Sequence, residues 1–304
     1  MRFSLIIPTF RAECCLPRLL DAVRRQTALP AETLVMDSSS SDATTACARA
    51  AGCRVHVIPR EQFDHGRTRN LAASMVDGDL IVFMTQDAQP TDEWCLERLI
   101  RPLSEGRAAA AYARQIARPE ASPPEAFLRW FNYPQSSQLR TLNDLPSLGI
   151  KTFFFSNVTS AVRRNALEAV GGFPDDVIMD EDLLFCAKLL RAGHAVAYQA
   201  DASVYHSHNY SLAAQFRRYF DIGVFKTQAG DALDGAAFRK TGRRFAFQQI
   251  AHLLRTGAWR WVPPTVVATG LKWIGFHLGK HHRYLPNRAR CRLSMHANYW
   301  ALHG

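Results

Sequence analysis

No Cys-x-x-Cys pair occurs in this chain, and its seven cysteines, at positions 14, 15, 47, 53, 95, 186 and 291, form an odd, scattered set. The N-terminal stretch MRFSLIIPTF also lacks a long apolar signal region. Together these absences point to a reducing cytoplasm and leave the adjacent Cys14 and Cys15 as small, half-buried residues. Glycine (17) and proline (15) are near average and show no short period, which excludes collagen-like and Pro-rich low-complexity chains. No repeat unit is visible. Long apolar runs are missing too: within the basic C-terminal part the apolar, charge-free stretch Trp261 to Leu271 has eleven residues, against about 20 for a spanning helix. What is present is a globular composition, 47% hydrophobic and 21% charged over 304 residues, enough for one large domain or two small ones.

Acidic residues are absent after Asp234, where twelve Lys or Arg remain. Residues 1 to 234 hold 25 basic groups against all 27 acidic ones. A near-neutral body therefore precedes a basic tail, and such a tail needs an anionic partner, nucleic acid or membrane, or a compensating surface. Interleaved with its charges are Trp259, Trp261, Trp273, Phe276, Tyr284 and Trp300. That mixture suits a membrane interface. The plainer reading is a C-terminal helical subdomain that packs its aromatics inward, and the sequence leaves both open.

The body alternates. Strands are expected at Phe3 to Pro8, Thr33 to Met36, Arg54 to Ile58 and Leu80 to Met84, with helices at Cys15 to Gln26, Ala43 to Ala51 and Gly66 to Val76. This pattern predicts an α/β layer with a mainly parallel sheet, whose ligands bind beyond the carboxyl ends of the strands. The first strand ends in Pro8-Thr9-Phe10-Arg11 without a Gly-x-Gly-x-x-Gly, which counts against a dinucleotide-binding fold. At the second, Asp37 precedes Ser38-Ser39-Ser40-Ser41-Asp42. Asp42 reads as a helix cap, whereas Asp37 lies beyond capping reach and can accept the imino N–H of a uracil or thymine. Arg67 and Arg69 open the third helix, where cations face the positive end of the dipole and a phosphate would relieve the conflict. The fourth strand ends in Thr85-Gln86-Asp87, an acid placed to hold a divalent cation.

Further on, Gly171-Gly172-Phe173-Pro174 leads to Asp180-Glu181-Asp182 at the start of a helix that stops at Gly193. Acids there are stabilised by the dipole, but three in a row exceed what a cap requires. After a strand at His194 to Tyr198 comes His206-Ser207-His208, whose spacing can place both rings on one face.

These ordered motifs, over roughly residues 3 to 226, resemble the inverting family 2 glycosyltransferases of the GT-A fold. Among those the chain is most similar to bacterial rhamnosyltransferases of O-antigen and surface polysaccharide synthesis. The resemblance implies a nucleotide-diphospho-sugar transferase fold over residues 1–226, a mainly parallel sheet flanked by helices, followed by a basic, aromatic-rich helical extension over 227–304. It implies a nucleotide site of Pro8, Thr9, Arg11, Asp37, Arg69 and Gln86, and Arg218 of Gln215-Phe216-Arg217-Arg218-Tyr219 is either a diphosphate contact or surface charge. Mg2+ or Mn2+ would sit on Asp87, with Thr85 replacing the first acid of D-x-D and His206, rather than His208, helping. Asp182 would be the general base, with Glu181 next to it as the alternative. The implied donor is dTDP-rhamnose, or else a UDP-sugar, and the acceptor a glycan or polyprenyl-diphosphate-linked saccharide met by Trp130 and Tyr133. The expected place is the cytoplasm, peripheral on the inner membrane, with no nucleic acid bound. Two rival classes stay open: a catalytically dead sugar-nucleotide-binding module, and a nucleic-acid-binding protein working through the tail.

Overall fold

The computed structural model describes residues 1–233 and 239–303; Asp234, where the acidic residues end, lies outside them. The first 84 residues form β1 (Phe3–Thr9), α1 (Leu16–Arg24), β2 (Glu32–Asp37), α2 (Thr44–Ala50), β3 (Arg54–Val57), α3 (His65–Ser74) and β4 (Leu80–Met84). Every element expected there is present, with its ends within two residues of the sequence reading. β1 lies between β2 and β4, β3 flanks β2, and all these pairings are parallel, with Thr9 opposite Asp37. Leu5, Ile6 and Ile7 are fully buried, as a continuous apolar run covered on both faces requires.

Beyond β4 follow β5 (Gln89–Pro90), α4 (Cys95–Ser104), β6 (Ala110–Ile116), α5 (Pro123–Asn132), β7 (Gln138–Arg140) and α6 (Leu145–Leu148). They lead into β8 (Thr159–Arg163), α7 (Arg164–Ala169), α8 (Glu181–Arg191) and β9 (Val196–Tyr205). To the parallel strands the rest of the sheet adds antiparallel ones. β8 enters between β4 and β6 running antiparallel to both, and β9 is parallel to β6 but antiparallel to β5 and β7. The reason is the long, mixed connection from β6 to β8, which replaces the single crossover helix that keeps neighbours parallel.

The chain divides into two compact units. The first (Met1–Ile116, Tyr133–Asp175, Glu181–His206) contains the whole sheet. The second (Ala117–Asn132, Asp176–Asp180, Ser207–Gly304) contains α5 with α9 (Leu212–Gln228), α10 (Arg239–Arg255), α11 (Val262–Lys280), α12 (Asn287–Leu293) and α13 (Ala297–His303). The division thus falls at His206 rather than at 226, and it draws α5 in. Two contacts explain it. Phe127 of α5 packs against Phe245 and His252 of α10, and α9 meets α11 at backbone distance. A Cβ on Gly279 would lie 1.9 Å from the Phe220 carbonyl oxygen, and one on Gly275 2.6 Å from that of Phe216. Trp300 is buried against Phe220 and beneath Arg290, so this one of the tail's tryptophans belongs to a core. Among the described residues no helix is long and apolar enough to cross a membrane.

Candidate functional site

At the tips of β1 and β2, Asp37 is fully buried. Its Oδ1 accepts the Thr9 hydroxyl at 3.1 Å and the Ser40 hydroxyl at 2.6 Å, while Oδ2 accepts the Ser40 N–H at 2.7 Å. The sequence reading made Asp37 a direct ligand of the base; the structure engages its carboxylate in holding the turn that follows β2. Ser40 in turn accepts the N–H of Arg11, a residue in the left-handed region at φ 49°. Gln86 is likewise engaged by backbone: its Oε1 accepts the Phe10 N–H at 2.8 Å and its Nε2 donates to the Phe10 carbonyl at 3.2 Å. The Phe10 ring carries the Arg60 guanidinium at 4.1 Å and that of Arg11 at 5.4 Å. Sequence reasoning missed Arg60, which stands in a short 3-10 turn with no motif around it. Pro8 is half-buried beside them. Next to the strand, burial pushes the Cys15 thiol up to about 11, as befits a packed rather than a reactive cysteine.

Two arginines at the start of α3 find protein anions instead of a phosphate. Asp64 caps the helix by accepting the Arg67 N–H at 2.7 Å. Arg67 stands 4.0 Å from Asp175, and Arg69 pairs with Glu181 at 2.7 Å with both side chains under 10% exposed (6% and 7%). Glu181 also accepts from Asn157 Nδ2 at 3.3 Å. Burial acts to raise the Glu181 carboxyl, but Arg69, His65 and the hydrogen bonds outweigh it and hold the group below the usual carboxylate range. The positive charge that the sequence reading aimed at a diphosphate is therefore neutralised inside the protein, and Glu181 is no longer available as a base. Neighbouring residues repeat the pattern. Asn70 clamps both backbone groups of Phe173 at 2.8 Å, and a Cβ on Gly66 would lie 1.8 Å from the Pro174 carbonyl oxygen. The Arg-Asn and Gly-Gly-Phe motifs are two halves of one seam that joins α3 to the approach of α8.

Asp182, one residue on, differs from Glu181. It is half-buried in the first turn of α8, its Oδ1 accepting the Leu183 N–H at 2.8 Å and its Oδ2 the Asn157 N–H at 3.2 Å. Backbone donors orient the carboxylate.

The end of β4 faces the end of β9. His206 Nε2 lies 3.4 Å from Asp87 Oδ2, and His206 Nδ1 lies 2.9 Å from Gln115 Oε1. Gln115 Nε2 donates to Ser156 at 2.8 Å, so its Oε1 is left to accept and the imidazole proton belongs on Nδ1. The Nε2 lone pair then confronts a carboxylate oxygen, an arrangement that is repulsive unless a cation or proton lies between them. Metal-ligating histidines are commonly held in this way, the nitrogen away from the ion donating to a fixed oxygen. Gln115 was missed by sequence reasoning, since it stands beside Arg114 in β6 with no motif around it. Thr85, in the place of the first acid, has a buried hydroxyl without a hydrogen-bond partner. His208 falls in the second unit.

Tyr133, expected at the acceptor, is instead core: it is 4% exposed and packs on Phe154 and Tyr198. Trp130, in the second unit, is exposed and stacks on His252. Arg218, also in the second unit, is exposed on α9.

Known proteins match this architecture. The model of Glycosyl transferase family 2 matches residues 4–171, and that of Glycosyl transferase family group 2 matches residues 139–288. The chain is similar to the O-antigen chain rhamnosyltransferase RfbN of Salmonella typhimurium, with 39% identity over 99% of this chain and 96% of that protein. It is similar also to the O-antigen chain rhamnosyltransferase WbaN of Salmonella anatum, with 38% identity over 98% and 95%. In fold it is similar to the mannosyltransferase PcManGT from Pyrobaculum calidifontis, solved with GDP-Man and Mn2+. The TM-score is 0.59 and the identity 18%, covering 99% of this chain and 86% of that one. S. aureus TarS 1-349 in complex with UDP-GlcNAc gives a TM-score of 0.53 at 16% identity, over 93% and 91%. With a family model spanning more than half its length and relatives matched from end to end, the chain belongs to glycosyl transferase family 2 and has the GT-A fold.

Proposed function

We propose that the chain is an inverting rhamnosyltransferase that moves L-rhamnose from dTDP-rhamnose to a hydroxyl of a lipid-linked glycan, at the cytoplasmic face of the inner membrane. The names of the two end-to-end relatives support the sugar and the pathway class. The confrontation of Asp87 and His206, preset by Gln115, is the observation on which the active-site reading rests. Those two residues fit a divalent cation, and an imidazole nitrogen among the donors favours Mn2+ over Mg2+. When bound, the ion supplies charge to stabilise the departing nucleoside diphosphate.

The remaining work falls to the chain. Asp182 takes the proton of the acceptor hydroxyl as that oxygen attacks the anomeric carbon, and the bond to the diphosphate breaks on the opposite face. Its two backbone donors keep one orientation of the carboxylate through the reaction. With Arg69 committed to Glu181, Arg11 and Arg60 on Phe10 take over as the cations for the diphosphate. Asp37 acts through Thr9 and Ser40, fixing the wall against which the base lies, with Pro8 beside it. Trp130 offers an exposed face to an acceptor sugar.

Asp182→Asn should lower transfer by about 10²- to 10⁴-fold while leaving dTDP binding unchanged. Calorimetric titration with dTDP, UDP and GDP, with and without Mn2+, tests the donor in the same experiment. Near-normal turnover of the variant would remove Asp182 from the role, and equal binding of GDP would remove the dTDP assignment.

A further inference from the structure

The outward face of α11 has no charge from Val262 to Gly279, although basic residues surround the helix. The single cation in that stretch, Lys272, is turned inward, with its Nζ 5.5 Å from the Tyr219 ring centroid, and burial lowers its pKa. The inner face is made of Thr265, Ala268, Gly275 and Gly279, all buried, which brings α11 flat against α9. The opposite face presents Val266, Val267, Trp273, Ile274 and Leu278 to solvent, Trp273 being 64% exposed, with Trp259 (65%) just ahead of the helix. Val266 and Trp273, like Val267 and Ile274, are seven residues or two turns apart, and Leu278 lies one turn beyond Ile274, so the five form one stripe. Exposed Arg260 precedes it, and exposed Lys280 and Arg283 follow it.

We infer that this stripe is a membrane-docking surface, and that its partner is the headgroup and upper acyl region of an anionic phospholipid bilayer. Charge complementarity selects that partner. The segment after Asp234 contains twelve basic residues and no acidic one, so the ends of the stripe meet anionic headgroups while its apolar middle, with Trp273, enters the interface. A helix apolar outside, polar at both ends and too short in apolar length to span lies in the interfacial plane. α10 repeats the theme in shorter form, with Phe247 and Leu254 exposed between Arg243, Arg244 and Arg255. The inference rests on the lipid-linked acceptor proposed above and specifies the surface that would reach it.

The test is co-sedimentation of the full chain with vesicles of phosphatidylcholine alone or with 30% phosphatidylglycerol (on the order used to mimic anionic leaflets), at low and high salt. Wild-type protein should partition at least about tenfold more strongly onto the anionic vesicles at low salt, and its tryptophan emission should shift to the blue. Val267→Glu with Trp273→Glu should abolish partitioning while leaving Asp182-dependent transfer to a water-soluble acceptor unchanged. Normal partitioning of that double variant, or loss of exposed apolar surface through self-association in sedimentation velocity, would overturn the inference. Duplex DNA that competes off all vesicle binding without any blue shift would overturn it also. Loss of transfer to every acceptor with vesicle binding intact would count against the proposed reaction and not against the surface.

Discussion

Two charged pairs within the sheet-bearing unit are built in opposite ways. Arg69 and Glu181 are complementary, buried and bonded at 2.7 Å, so each is the other's answer. Asp87 and His206 confront each other at 3.4 Å with an acceptor on each side once Gln115 has fixed the imidazole tautomer. The first pair is closed on itself by complementary charge, and the second has the donor chemistry to take a cation. A carboxylate at the end of an element is thus a site or a strut according to what faces it, and sequence position does not tell the two apart.

The largest effect expected from breaking this contrast is at the complete pair. Arg69→Met should cost about 3–5 kcal/mol in urea unfolding, because it strands the buried Glu181 charge. Adding Glu181→Leu should recover most of the loss; a single variant as stable as wild type would show that the pair is not closed to solvent. The pH dependence follows from the sign of the shift. Because folding lowers the Glu181 pKa from 4.5, its contribution is present above that value and fades as pH falls through the depressed folded value. The stability gap between wild type and Glu181→Gln should therefore be flat from neutral pH down to about 5 and close only in stronger acid.

At the open pair the effects are smaller and depend on an added ion. Mn2+ at 100 times its dissociation constant should stabilise the wild-type chain by about 2.7 kcal/mol, read as a rise in thermal midpoint. Asp87→Ala and His206→Ala should lose that rise. A Mn2+ response that survives both substitutions would place the ion elsewhere. Smallest of all, Gln115→Leu should weaken Mn2+ binding by about 10- to 100-fold through loss of the tautomer lock. Unchanged affinity in that variant would mean that Nδ1 needs no partner to orient the ring.

Periodicity made the parallel strands legible, since apolar runs of four to six residues alternating with helical spacing have few other interpretations. The antiparallel half was not, because β5 and β7 have two and three residues and the connection between β6 and β8 has no regular period. Among site residues, Asp87, His206 and Asp182 stand where strand-end and helix-end reasoning put them. Asp37, Gln86, Arg69 and Tyr133 bear the right chemistry, but their partners are other parts of the protein. Glu181 lies 112 residues from Arg69 in sequence, and no local pattern encodes a pairing of that range. Burial is the missing variable, and Trp300 shows it in the tail, where composition alone could not separate one inward tryptophan from the outward ones.

The glycines between α9 and α11 govern how that part of the chain comes apart. With Gly275 and Gly279 pressed on the carbonyls of Phe216 and Phe220, and Gly223 pressed on that of Phe276, no side chain lies between the two backbones to give way. Local opening of one helix therefore removes the packing surface of the other, and the pair opens as one cooperative unit. Amide protons in the middle of α11 and in the facing turns of α9 share one protection free energy, even though α11 turns most of its bulky apolar side chains to solvent.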